Sequence, residues 1–203
     1  FLVQFDVLVE LRQQRAAHPL GALFPLAAWR KLLAVRPVAG FALGYAMHCV
    51  ELFGSRSWMV AFLAFVAGLH AGDATFPWSL ALIAAVVNVC AVPASILGNE
   101  IAIRIGRRRW IALAMFGSGA GGLVLAASAS WHWAAVLVIL LVYAMLVMAE
   151  SATLTAGMVA AAPAEMRGTA MGLYSLMGFA GGMVGPMVFG SALDAAGGAA
   201  RPA

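Results

Sequence analysis

Five apolar runs, at roughly residues 36–68, 76–98, 110–129, 131–156 and 170–193, leave this chain few ways to fold. About 20 apolar residues wound as a helix cross a hydrocarbon core, and a helix satisfies its own backbone groups there. The last four runs are close to that length and the first exceeds it. With 64% hydrophobic and only 10% charged residues, no soluble domain could cover its surface with polar groups. The sequence therefore predicts an all-α integral membrane protein with about five transmembrane helices.

The stretches between the runs set the orientation. Residues 1–35 carry Arg12, Arg15, Arg30 and Lys31 together with Pro19 and Pro25, and read as an amphipathic or irregular loop whose first nine residues could end a preceding helix. With Arg36, Arg104, Arg107, Arg108, Arg109 and Arg167, these place ten of the twelve basic residues on one side of the layout, leaving Arg56 and Arg201. Cytoplasmic loops carry such an excess, so the N-terminal side is expected in the cytoplasm and the tail 194–203 outside it. A multi-pass protein of a cell membrane is expected, with the bacterial inner membrane as the expected one. The net charge of +4 is thus a matter of topology and implies no nucleic-acid partner. Cys49 and Cys90 lie in apolar runs and read as small hydrophobes.

The first run, at ~1.5 Å per residue, is about 50 Å long against a ~30 Å core. Splitting it at Gly54-Ser55 would put the arginine-rich loop outside. One long, tilted or bent helix is expected instead, with Arg56 near the outer water surface. The chain begins at Phe1 with no basic leader or small-residue cleavage site, and is expected to be an internal fragment.

A charge at the bilayer centre costs on the order of 3 kcal/mol on insertion scales, so polar residues inside the runs are the functional candidates. Helical spacing sets Tyr45, His48 and Glu51 on one broad face, where His48 and Glu51 either bond each other as packing glue or contact solute or protons. Tyr143, Glu150 and Gly157 share a stripe at seven-residue steps, expected to face the bundle interior. An ionisable carboxylate in a low-dielectric cavity can couple proton movement to conformation; Glu150 can equally pair with Arg167. Asn88, five residues before Pro93, reads as a weaker candidate or as interhelical glue. Glycines four apart, in Gly117 to Gly122 and along Gly178, Gly182, Gly185, Pro186 and Gly190, are expected to bring helix backbones close.

Four stretches resemble the major facilitator superfamily of secondary transporters. The run Asn99-Glu-Ile-Ala-Ile-Arg104-Ile-Gly106-Arg107-Arg108-Arg109 resembles the loop signature Gly-x-x-x-Asp-Arg-x-Gly-Arg-Arg of that family, with Arg104, Gly106, Arg107 and Arg108 on its Arg, Gly, Arg and Arg. Asn99 stands at the first Gly and Ile103 at the Asp, which implies a weakened inner latch or a degenerate second-half copy. The segment Tyr45 to Trp58 resembles the seventh helix of a subset of these carriers, with Val50 where they place an aromatic residue. Gly182-Met-Val-Gly185-Pro186 to Gly190 resembles the glycine and proline-rich motif of antiporter branches, which lets a helix bend. The run Pro163 to Gly172 looks like the cytoplasmic start of the eleventh helix.

The resemblance implies helices seven to eleven, most of the C-terminal half of such a carrier. It implies secondary active transport of a small solute, proton-coupled, by alternating access against the N-terminal half of the same polypeptide. Tyr45, His48, Glu51, Asn88, Tyr143 and Glu150 are then the solute or proton path, and Asn99, Arg104, Gly106, Arg107 and Arg108 the cytoplasmic gate. Lipid, solute, protons and the other half are the expected partners, with no cofactor. A non-transporting receptor or scaffold on the same fold is the alternative. Enzyme chemistry has little to stand on. Gly117-Ser118-Gly119 lacks the order of intramembrane serine proteases, the four histidines lie in separate segments, and no phosphate-cradling Gly-x-x-x-x-Gly-Lys loop occurs.

Overall fold

A computed structural model describes residues 24–70 and 76–197. Arg12, Arg15, Pro19 and Arg201, on which part of the sequence reading rests, lie outside them. Among the described residues seven α-helices follow in order: α1 Leu26–Leu33, α2 Arg36–Leu69, α3 Leu80–Ile105, α4 Arg107–Ala127, α5 Trp133–Met148, α6 Ser151–Ala161 and α7 Arg167–Ala195, the last preceded by a 3-10 turn at Ala164–Met166. The described residues contain no strand. Five helical stretches among the described residues are long and apolar enough to cross a membrane: α2, α3, α4, α5 with α6, and the 3-10 turn with α7.

Local chemistry accounts for three of the helix starts. Pro37 lies in the first turn of α2, where a missing N–H has no intrahelical partner to lose. Ser79 caps α3 by accepting from the Leu82 amide at 3.3 Å, and His132 caps α5 by accepting from the Ala134 amide at 3.3 Å. From there α2 runs 34 residues without a break, passing Gly54.

The arginine-rich loop differs from its sequence expectation. A connection of about ten residues is expected between the second and third spans, whereas α3 continues to Ile105 and α4 starts at Arg107, leaving Gly106 alone between them. Apolar character marks where lipid ends, and the helix itself continues through helix-compatible Asn, Glu, Ala and Arg. The turn is made by Gly106 at φ 97°, a backbone conformation that disfavours any side chain. Arg104 thus closes the last turn of α3, and Arg107 to Arg109 form the first turn of α4.

Backbone proximity holds α2 against α7. A Cβ on Gly181 would overlap the Ala46 carbonyl, and one on Gly185 would overlap that of Val50. Gly178 backs onto the Tyr45 ring, Gly182 onto Phe53 and Gly190 onto Trp58. The stripe singled out in the sequence is therefore the α2 to α7 contact. The last helix runs unbroken through Pro186, whose carbonyl accepts a hydrogen bond from Trp58 Nε1 at 3.0 Å.

Apolar packing is divided into two cores. One joins Met59, Leu63 and Val66 of α2 to Ile83, Val87 and Ala91 of α3 and Val136, Leu140 and Val147 of α5. The other joins Val38 and Ala42 of α2 to Leu154 and Met158 of α6, Leu173 and Tyr174 of α7, and Leu32 of α1. On α2 the two cores are separated by the stretch holding His48 and Glu51, and on α5 and α6 by the stretch holding Glu150. A polar layer lies between them.

Candidate functional site: a buried histidine and glutamate at a helix break

The fourth apolar run is expected to be one helix, yet it is interrupted at Ala149 and Glu150. The Ala149 amide bonds Leu146 O at 3.2 Å in a tightened turn, and the helix restarts with Leu154 N on Glu150 O at 2.9 Å. Two backbone groups near the break have partners on other helices. Ala149 O accepts from Trp110 Nε1 of α4 at 2.9 Å, and the Ala152 amide donates to Ser95 Oγ of α3 at 3.1 Å. Gly98 lies so close that any Cβ there would overlap Ala149 O.

Glu150 therefore projects from irregular backbone inside a span, a situation tolerated where protein surrounds it. Its Oε1 lies 3.1 Å from His48 Nδ1. Both residues are only 1% exposed. One geometry serves two proton arrangements: Nδ1–H donating to a carboxylate, or a protonated carboxyl donating to a neutral imidazole nitrogen. Glu150 Oε2, His48 Nε2 and Thr153 Oγ1 are buried without a hydrogen-bond partner among the described residues. Such groups are costly to leave bare, so each is a place where a proton or a water can be taken up.

The neighbours extend the site. Tyr45 stacks on His48 with centroids 5.9 Å apart, and on Tyr174 with centroids 3.8 Å apart. The Tyr174 hydroxyl shares a hydrogen bond of 3.0 Å with Thr155 Oγ1. Glu51 does not bond His48; its Oε2 accepts from Ser118 Oγ of α4 at 3.0 Å. His48 and Glu51, read together from their spacing, thus point to different partners: Glu150 across the bundle for one, Ser118 for the other. A helix face about 100° wide has room for both, and spacing alone cannot choose between them.

The remaining candidates divide. Tyr143, Glu150 and Gly157 are all buried along their stripe, with Phe41 against Gly157. Among the described residues Glu150 makes no ion pair with Arg167; His48 is its partner. Asn88 bonds back to Ala84 O of its own helix at 2.8 Å and reaches Met59 Sδ at 3.7 Å, apart from the pair. Arg56, expected near the outer water, is half-buried, with Nη2 3.4 Å from Met148 Sδ. Its guanidinium thus lies against the residue just before the break. In the arginine junction Arg104 and Arg108 are exposed, Arg107 is half-buried, and Asn99 Oδ1 is buried without a partner among the described residues.

Four contributors escaped the sequence reading of the site: Ser95, Gly98, Trp110 and Tyr174. Ser95 and Gly98 are three apart just after Pro93, and Trp110 directly follows the arginines, but no spacing rule links them to residue 149. Among the described residues no group of His, Cys, Asp and Glu side chains is arranged to hold a metal ion. Comparison of the chain with family models, with curated proteins and with solved structures gives no match.

Proposed function

We propose that this chain is the second half, helices seven to eleven, of a major facilitator-type secondary transporter that moves a small solute across a cell membrane in exchange or symport with protons. The observation that carries the reading is the His48 and Glu150 pair, 3.1 Å apart and buried at a helix break. As mere glue such a pair is a poor investment, since apolar side chains of similar volume serve packing as well or better. As a proton site it has the needed parts: two groups that share a proton, and one free polar atom on each where another can arrive.

In this reading a proton reaching Glu150 Oε2 or His48 Nε2 changes the charge on the pair. The attraction holding α2 to the break weakens or strengthens accordingly, and a proton leaves from the same pair when the site faces the other side. The glycine-packed α2 and α7 stay together as this half rocks against the N-terminal half of the same polypeptide. Tyr45 and Glu51 contact solute, while Arg104, Arg107 and Arg108 border the closing surface on the cytoplasmic side of a bacterial inner membrane. The four resemblances and the charge asymmetry support the assignment to this family and this orientation.

The test is lumenal pH in proteoliposomes of the complete carrier, read with a trapped fluorescent pH indicator while a panel of small anions, cations and neutral solutes is added under an imposed pH gradient. At least one solute should discharge the gradient through the parent protein and fail to do so through Glu150→Gln present at equal abundance. Equal proton flux through parent and variant for every active solute would remove Glu150 as the proton carrier.

A further inference from the structure

We infer that Ser95 and Trp110 are positioning residues for Glu150: together with Gly98 they hold open the break from which its carboxylate reaches His48. The inference rests on the proton-site reading above and adds residues that neither the motifs nor the spacing identify.

The argument starts from backbone hydrogen bonds. In a continuous α-helix Ala149 O would accept from the Thr153 amide, and the Ala152 amide would donate to Met148 O. Here Ala149 O takes Trp110 Nε1 at 2.9 Å and the Ala152 amide takes Ser95 Oγ at 3.1 Å. An opened turn inside a span persists only if its freed groups find partners, and these come from two other helices. Each partner is specific. Trp supplies a lone N–H donor and no acceptor, which suits a carbonyl; the Ser hydroxyl supplies the acceptor an amide needs.

Gly98 completes the clamp. It lies three residues after Ser95 on α3, and its missing side chain lets the Ala149 carbonyl approach the α3 backbone and the Trp110 ring. Carbonyl, amide and close approach all fall within three residues of Glu150, so the direction of its side chain is set from α3 and α4. Its own helix sets it less. Trp110 also follows Arg107 to Arg109 in the first turn of α4, so the arginine junction and the break are joined by one hydrogen bond.

The charged and titratable groups around Glu150 come from every side. On α2 these are His48 and Glu51, on α7 Tyr174, and Arg56 reaches Met148, two residues before it. From α3 and α4, Ser95 and Trp110 contribute no charge, so their removal acts on Glu150 through geometry.

Infrared difference spectra of the parent protein in lipid, recorded between acid and alkaline pH, report the protonated carboxyl of Glu150 as the band lost in Glu150→Gln. Ser95→Ala and Trp110→Phe should each move the pH midpoint of that band by about half a unit or more, since the distance to His48 changes. Both should also speed hydrogen exchange at the Ala152 and Thr153 amides. Ser95→Thr keeps the hydroxyl and should restore the parental midpoint. Faster exchange with an unmoved midpoint in both variants would overturn the inference and leave the proton site standing. Absence of any Glu150-dependent band in the parent would overturn both. Should Trp110→Phe fail to fold, Ser95→Ala against Ser95→Thr decides.

Discussion

Tyr45 and Tyr174 lie ring on ring, centroids 3.8 Å apart and planes 8° from parallel, at the floor of the polar layer. The stack joins α2 to α7 beside the buried pair, because Tyr45 also stacks on His48 and the Tyr174 hydroxyl is tied to Thr155 of α6. Imidazole, two phenols and a threonine thus form one continuous contact from the pair to the core that holds Leu173 and Tyr174. Aromatic pairs add about 0.5–1.5 kcal/mol beyond their buried area. Tyr174→Phe should keep the stack and lose only the Thr155 bond, at about 1 kcal/mol. Tyr45→Ala should cost about 2 kcal/mol or more, since removing this half-buried ring strips the packing from both Tyr174 and His48. Unfolding of the lipid-reconstituted protein by detergent titration measures both, and equal losses would show that the ring contact carries no special weight.

The His48 and Glu150 pair predicts an asymmetric response. His48→Ala leaves a carboxylate buried without a partner and should destabilise by about 3–5 kcal/mol. Glu150→Gln keeps an acceptor for the imidazole and should cost about 1–2 kcal/mol. The double variant His48→Leu with Glu150→Leu should recover part of the loss. A double variant less stable than His48→Ala would mean the pair contributes net attraction beyond what apolar packing replaces.

Glycines of α7 differ in what a methyl group would meet. Gly185→Ala drives Cβ into the Val50 carbonyl and should separate α2 from α7, at about 1–3 kcal/mol. Gly172→Ala meets nothing within 4 Å and should be neutral or slightly stabilising through helix propensity. Comparable effects from the two substitutions would refute the close packing of these helices.

At the arginine junction, Gly106→Ala must adopt the φ of 97° that only glycine takes readily. We expect about 1–2 kcal/mol of destabilisation from the strained turn, or a shift in the junction detected as changed exchange at Trp110. No change in either quantity would mean the turn is not made at residue 106.

Orientation is tested by labelling. In a background with Cys49 and Cys90 replaced by alanine, a cysteine at Asp194 should react with an impermeant thiol reagent in intact cells, and one at Arg108 should not. Rapid reaction at position 108 would reverse the orientation derived from charge bias.

Particular residues show how far the sequence reached. The apolar runs sufficed for the five helical segments able to cross a membrane among the described residues, because length and apolar character are properties of each segment alone. Glu150 and His48 stood out singly, since an ionisable residue in a lipid-length run is costly wherever it points. The glycines of α7 were legible as a packing stripe for the same reason: spacing on one helix is local information. Their partners were not. His48 meets Glu150 from 102 residues away, and Ser118 rather than His48 serves Glu51, because spans that are apolar on every side carry no moment to fix which faces meet. The break at Ala149 depended on tertiary structure altogether. Nothing in Met-Ala-Glu-Ser forbids a helix, and the turn opens because Ser95, Gly98 and Trp110 on two other helices satisfy and accommodate the groups it frees. Local composition decides what can cross a membrane, whereas the position of a buried charge is decided by the side chains that neighbouring helices bring to it.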